Sequence, residues 1–263
     1  MRGEPILQGE SESQAHAGRL VHRGKVKAVY EVFGHPEWRV IEFTDEATAF
    51  DGAKRTVIPG KGEACAAISA AFFGALGAAG VPHHFIRLLS PTRMLVEAVE
   101  IIPLEVVVRN RVAGSLARRL GIEEGLRLPR PVVELFYKSD RLGDPWVNAH
   151  HAEALGWATA AELADMERLA LAANTAMRLL ALRAGLELVD FKLEFGRRRG
   201  DGLLRVADEI SPDTCRFWDV ESQERMDKDR FRRDLGRLEQ TYAEVRRRIE
   251  EAARWPASSS SLT

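Results

Sequence analysis

The feature that most narrows the fold is the run Leu186 to Phe195, Leu-Glu-Leu-Val-Asp-Phe-Lys-Leu-Glu-Phe, which alternates with a period of two. Side chains two apart on an extended strand share a face. Val189, Phe191, Leu193 and Phe195 are therefore expected on an apolar side, and Asp190, Lys192 and Glu194 on a charged one. The turn 196–202 favours a hairpin with Leu203 to Ile210 as return strand, and a register centred near Gly200 sets Asp208 opposite Lys192. Carboxylates then gather around one ammonium. A solvated sheet face carries the same pattern; the alternative is a magnesium and phosphate site, because hard cations take carboxylate oxygens and lysine neutralises phosphoryl oxygens.

The chain has 263 residues, 45% of them hydrophobic, enough to bury a sizeable core. Its 38 Lys plus Arg against 39 Asp plus Glu leave no basic field, which argues against nucleic acid and for small polar substrates. Cys65 and Cys215 stand far apart without metal-ligand spacing, so they are expected as packed thiols of a cytoplasmic protein. Residues 1–18 form a polar leader lacking the apolar centre of a signal peptide. Ala64 to Val81 carries no formal charge, but Ile68, Phe72, Leu76 and Ala79 recur on one helical face and Gly80 and Pro82 supply a stop. It is expected as a core helix, not a membrane span.

In chain order, Arg23 to Phe33 is expected as a strand with Lys25 and Lys27 on one face, where they could meet a triphosphate or simply form soluble surface. Arg39 to Phe43 is its partner, Thr44 to Gly52 a turn, Lys54 to Ile58 a short strand and Pro59-Gly60-Lys61-Gly62 loop punctuation. His83 to Leu89, Met94 to Val99, Leu104 to Val108 and Val132 to Lys138 are expected as strands, with a boundary at Pro129 to Pro131. Arg109-Asn-Arg-Val-Ala-Gly-Ser115 leads from strand to helix, where arginines and a hydroxyl suit a phosphate. His150-His151 lacks a third metal ligand and is expected as loop or cap. Thr159 and Glu162 make a capping box for a helix whose stripe of Leu163, Met166, Ala170, Ala173, Met177 and Leu180 ends at Gly185. From Asp227 a last helix aligns Phe231, Leu235, Leu238, Tyr242, Val245 and Ile249 in a narrow seam.

Taken together, Gly24-Lys-Val-Lys27, Ala47-Thr-Ala-Phe-Asp-Gly52, Val107 to Leu116, Asp190 to Gly196, Asp208-Glu-Ile-Ser-Pro-Asp-Thr-Cys-Arg216 and Asp227 to Arg232 resemble the short bacterial SAICAR synthetase family, in order over roughly residues 20–250. The resemblance implies an α+β / α/β protein. An antiparallel N-terminal sheet domain (19–100) precedes a larger C-terminal α/β domain (101–255), with the ATP cleft between them and a loose tail at 256–263.

It also implies an ATP-dependent ligase that converts the carboxylate of carboxyaminoimidazole ribonucleotide to an acyl phosphate, which the amine of L-aspartate attacks. Glu194 and Asp208 match magnesium and ATP residues, with Lys25, Lys27 and Lys192 neutralising phosphate charge. Leu95 to Ile101, with Glu97 and Val99, matches the hinge where adenine binds. Arg109, Ser115 and Arg216 match the ribonucleotide phosphate site; Asp51, Lys138 and Asp213 match groups around the imidazole and amino acid. A homodimer is the family habit. Cys65 and Ala66 stand where the family commonly carries two asparagines, a departure that opens two alternatives: a nucleoside-antibiotic paralogue acting on a related phosphoribosyl imidazole, or a nucleotide-binding module without turnover.

Overall fold

The computed structural model describes residues 17–49 and 54–254. Its first sheet is antiparallel, ordered β1 (Ala17–Arg23), β2 (Lys27–Val32), β3 (His35–Phe43), β7 (Arg93–Glu97) and β6 (Phe85–Ser90). A short ladder, β4 (Glu46–Ala49) with β5 (Lys54–Val57), stands beside it. The second sheet runs β10 (Trp146–Val147), β9 (Arg127–Tyr137), β8 (Val99–Arg111), β11 (Leu186–Arg198) and β12 (Leu204–Ala207), with β13 (Cys215–Asp219) also paired to β11. The helices are α1 (Lys61–Ala78), α2 (Gly114–Leu120), α3 (Ala149–Ala154), α4 (Ala160–Arg183), α5 (Asp229–Arg232) and α6 (Leu238–Arg254).

One apolar core joins the layers. Ile41, Phe43, Met94 and Val96 of the first sheet meet Ile68, Phe72 and Phe73 of α1, while Val106, Phe191, Leu193 and Phe195 of the second meet Met166, Ala173 and Met177 of α4. Burying side chains of this size stabilises by about 1.5–3 kcal/mol each. Tyr242, Val245 and Ile249 of α6 are buried and α6 packs on α1, so the seam expected of the last helix is used within the chain. No described helix is long and apolar enough to cross a membrane.

Several expectations needed correction. Ala17 and Gly18 belong to β1, an edge strand, and not to a loose leader. Lys25 precedes β2 in a bend instead of lying on it. Glu46–Ala49 is strand where a turn was expected. Pro129 and Pro131 fall inside β9, where its register with β8 shifts between Arg109 and Arg111; prolines, lacking an N–H, fit such irregular pairing. The last helix is two helices, because Asp234 (φ 55°), Gly236 (φ 67°) and Arg237 (φ 53°) turn left-handed between them. Leu235 is left exposed there.

The start of α1 also lies earlier than expected. Gly60 at φ 75° begins it without a local side-chain cap; the Asp45 carboxylate instead accepts from the Gly60 and Gly62 amides at 3.2 and 2.9 Å. The capping boxes at Thr159 and at Asn148 with His151 are present, the second fixing His151 as a cap residue.

Candidate active site

The charged face of β11 is built as a cross-strand pattern. Asp190, Lys192 and Glu194 lie opposite Arg109, Val107 and Glu105 of β8, and Asp190 lies opposite Arg216 of β13 on its other side. The period of two expected along β11 breaks once. A bulge between Leu188 and Asp190 sends Val189 into a separate cluster with Ala113 and Trp218, away from Phe191 and Leu193.

The hairpin register is one residue from expectation: Glu194 faces Ala207, and the ladder ends there. Asp208 then adopts φ 66°, a left-handed turn that brings its Oδ2 to 3.6 Å from Lys192 Nζ. Burial lowers the His84 pKa to about 4, so a neutral imidazole donates from Nε2 to the Asp208 carbonyl at 3.0 Å and braces this conformation. The following turn is pinned to α1, since Ser69 Oγ donates to the Ile210 carbonyl and accepts from its amide, each at 3.1 Å.

Two hollows open on this framework. The acidic one, of about 220 Å³, is lined by Lys25, Lys27, Lys138, Lys192, Glu194 and Asp208 among others. Lys192 Nζ donates to Glu105 at 2.9 Å and Glu194 at 3.0 Å; Lys138 reaches Glu194 at 2.5 Å; Lys27 bonds Asp208 and lies 3.1 Å from Glu209. Burial works against the Lys27 and Lys192 ammonium groups, but the carboxylates outweigh it and raise both pKa values. Asp208 is held well below the usual carboxylate range: burial opposes its charge, and Lys27, Lys192 and Lys138 overcome that. Lys25 lines the mouth with Nζ 3.1 Å from Asp140.

The second hollow, of about 210 Å³, is lined by Arg109, Ser115, Asp190, Arg216 and Arg232, and shares Glu105, Lys192, Asp213 and Thr214 with the first. Asp190 accepts from Arg109 at 2.8 Å and from Arg216 at 2.9 and 3.0 Å. It therefore orients two guanidinium forks and is not one of the carboxylates around Lys192. Arg109 also bonds Glu134 and donates to Ser115 Oγ at 2.9 Å, while Arg216 Nε donates to Asp229 at 2.9 Å. The Arg216 guanidinium crosses directly over Gly114, where a Cβ would sit 2.5 Å from Nη2. Ser115 is one residue inside α2, whose start has no side-chain cap, so its hydroxyl is left for the hollow.

Of the residues picked out from sequence, Lys25, Lys27, Lys138, Lys192, Glu194, Asp208 and Asp213 converge on the first hollow, and Arg109, Ser115 and Arg216 on the second. Glu97 and Val99 line neither. Glu97 is paired with Arg198 and Arg205 at 3.2 and 2.9 Å, and Val99 packs on Gly196 where the chain passes from one sheet to the other. Asp51 lies outside the described residues.

Sequence reasoning missed Lys61, 1% exposed, with Nζ 2.6 Å from Asp213 Oδ2 behind the shared centre. It missed Glu105 too, although the alternation Glu105, Val107, Arg109 opposite buried Leu104, Val106 and Val108 was a usable signal. A larger alanine-lined groove of about 890 Å³ between α1, α4 and α6 is remote from these groups.

The profile of the family described as SAICAR synthetase matches residues 20–249. The chain belongs to the SAICAR synthetase family. It is 53% identical over 234 residues to the phosphoribosylaminoimidazole-succinocarboxamide synthase of Desulfitobacterium hafniense, covering 89% of this chain and 97% of that one. The enzyme of the same name from Deinococcus deserti is 52% identical over 235 residues, covering 89% and 98%. Among solved structures, the synthase of Ehrlichia chaffeensis superposes with a TM-score of 0.86 at 39% identity, covering 88% of this chain and 98% of that chain. A SAICAR synthetase in complex with ADP gives 0.84 at 44% identity, covering 89% and 98%. SAICAR synthetase membership makes the chain an ATP-dependent ligase of purine biosynthesis, and neither the antibiotic-pathway paralogue nor the silent nucleotide-binding module is favoured.

Proposed function

We propose that the two hollows are halves of one SAICAR synthetase active site, with ATP in the acidic half and carboxyaminoimidazole ribonucleotide in the guanidinium half. The observation that carries this reading is their common border of Glu105, Lys192, Asp213 and Thr214. A phosphoryl group crossing that border meets an ammonium and not bulk water, which favours transfer to a carboxylate.

Arg109 and Arg216 would fork onto the sugar phosphate beside the Ser115 hydroxyl. Lys27 and Lys192 would neutralise ATP phosphate oxygens, with Lys25 and Lys138 at the mouth. Leu95 to Ile101, with Glu97 and Val99, would meet adenine, and Asp213, with Asp51, the imidazole and incoming amine.

Glu194 and Asp208 fit magnesium: both are hard oxygen donors, 4% and 10% exposed at the side chain, and both turn toward the same ammonium. When bound there, magnesium would offset the repulsion between polyphosphate and the attacking carboxylate. Both acids have lysine partners, and for Asp208 the ammonium groups of Lys27, Lys192 and Lys138 hold the carboxyl charged against burial. Lys192 would hold the transferring group in line, and Asp213 would orient the aspartate amine toward the activated carbonyl. A homodimer acting in the cytoplasm completes the proposal, checked by sedimentation and cell fractionation.

The test is ADP release from the purified chain with ATP, magnesium, L-aspartate and carboxyaminoimidazole ribonucleotide. Turnover that needs all four components supports the ligase; ATP hydrolysis indifferent to aspartate and ribonucleotide refutes it.

A further inference from the structure

Six lysines face or back the shared centre. Five have a carboxylate within 3.1 Å: Lys25 with Asp140, Lys27 with Asp208 and Glu209, Lys61 with Asp213, Lys138 with Glu194 and Lys192 with Glu105 and Glu194. Lys228 is the exception. Its closest carboxylate oxygen among the described residues is Asp213 Oδ1 at 4.0 Å, and its Nζ donates no hydrogen bond to them. Yet the residue is only 9% exposed and lines the acidic hollow. Its amide donates to the Pro212 carbonyl at 3.2 Å, which ties it to the turn carrying Asp213 and Thr214.

A buried ammonium with unfilled donors is costly, and an arriving anion removes that cost. The surroundings agree. Burial lowers the Lys228 pKa; Asp213 and Glu209 oppose that drop, while Arg232 and Lys61 add to it. Asp213 cannot fully serve Lys228, because it already takes Lys61 at 2.6 Å and the Tyr242 hydroxyl at 2.7 Å.

The ATP phosphates and the sugar phosphate have their own cations at Lys27, Lys192, Arg109 and Arg216. The reactant without one is the amino acid, which brings two carboxylates to this border. We propose that Lys228 binds a carboxylate of the incoming amino acid and so helps select a dicarboxylic amine. This rests on the ligase reading above.

The experiment replaces Lys228 in the full chain and measures ADP release while aspartate is varied. Lys228→Met should raise the KM for aspartate by about tenfold or more, the loss of one charge-assisted hydrogen bond, with the KM for ATP and for ribonucleotide changed by less than about threefold. Hydroxylamine, an amine without a carboxylate, can replace aspartate in attacking the acyl phosphate. Its turnover should fall by less than about threefold in the variant. Lys228→Arg should recover part of the aspartate affinity, and it is the variant to use if Lys228→Met does not fold. An unchanged aspartate KM, or equal losses with aspartate and hydroxylamine, overturns the assignment while leaving the ligase reading intact. A parental chain that releases no ADP removes the ligase reading and the assignment with it.

Discussion

Lys61→Met is the most direct test of how the centre is held together. The ammonium and the Asp213 carboxylate are 1% and 3% exposed and 2.6 Å apart. Removing one partner of a buried pair costs about 3–5 kcal/mol, because the other charge is left in a medium that solvates it poorly. Asp213 keeps the Tyr242 hydroxyl at 2.7 Å and Lys228 at 4.0 Å, so the lower end, about 3 kcal/mol, is expected. For a chain of this size that corresponds to a thermal midpoint lower by about 6–12 °C.

The pH dependence has a defined sign. Burial opposes the Asp213 charge, but Lys228 and Lys61 depress its pKa below 3.8, so its contribution is present above that value and lost at lower pH. The deficit of Lys61→Met should therefore be largest near neutrality and shrink in acid. Lys61→Met with Asp213→Asn removes both charges and should be more stable than the sum of the two single losses by about 1.5 kcal/mol or more. Denaturant melts at pH 7 and pH 2.5 would measure all of this. A single-variant loss below about 1 kcal/mol, or strict additivity, would refute the claim that this pair is buried and coupled.

Other substitutions probe the rest of the site. Glu194→Gln and Asp208→Asn should each cut ADP formation on the order of a hundredfold while the circular dichroism spectrum is kept; near-parental turnover removes the magnesium assignment. Arg216→Ala should raise the ribonucleotide KM by about tenfold or more, and an unchanged value rules out its phosphate role. Glu162 lies at the start of α4, where Arg197 first, then Thr159, lower its pKa to about 2 against burial. Its stabilising effect is full above 4.5 and fades as pH falls toward 2. The thermal midpoints of parent and Glu162→Gln should accordingly converge in acid, and a constant difference from pH 6 to pH 2.5 refutes the ion pair.

What could be read in the chain was what is local and periodic. The alternation of β11 gave the charged and apolar faces, the helical stripe of α4 gave its core side, and Thr159 with Glu162 announced a helix start because both halves of that cap lie three residues apart. Failures came where a second segment intervenes. The start of α1 carries no nearby cap because its cap is Asp45, fifteen residues upstream, delivered by the end of β3. The bulge at Val189 is set by pairing with β13, and the missed register of β12 is offset only by the left-handed turn at Asp208.

Lys61 and Lys27 show the same limit for function. Lys61 stands between two glycines and Lys27 three residues after Gly24, and nothing local ranks one above the other. Lys61 is enclosed only because α1 stands between the first sheet and α6, so that Tyr242 and Asp213 close over it. Lys27 keeps an open side because the bend at Gly24 to Val26 leaves the end of β2 facing the hollow. Depth belongs to the assembled layers, and depth decides whether an ammonium holds the fold's own carboxylate or remains available to a substrate.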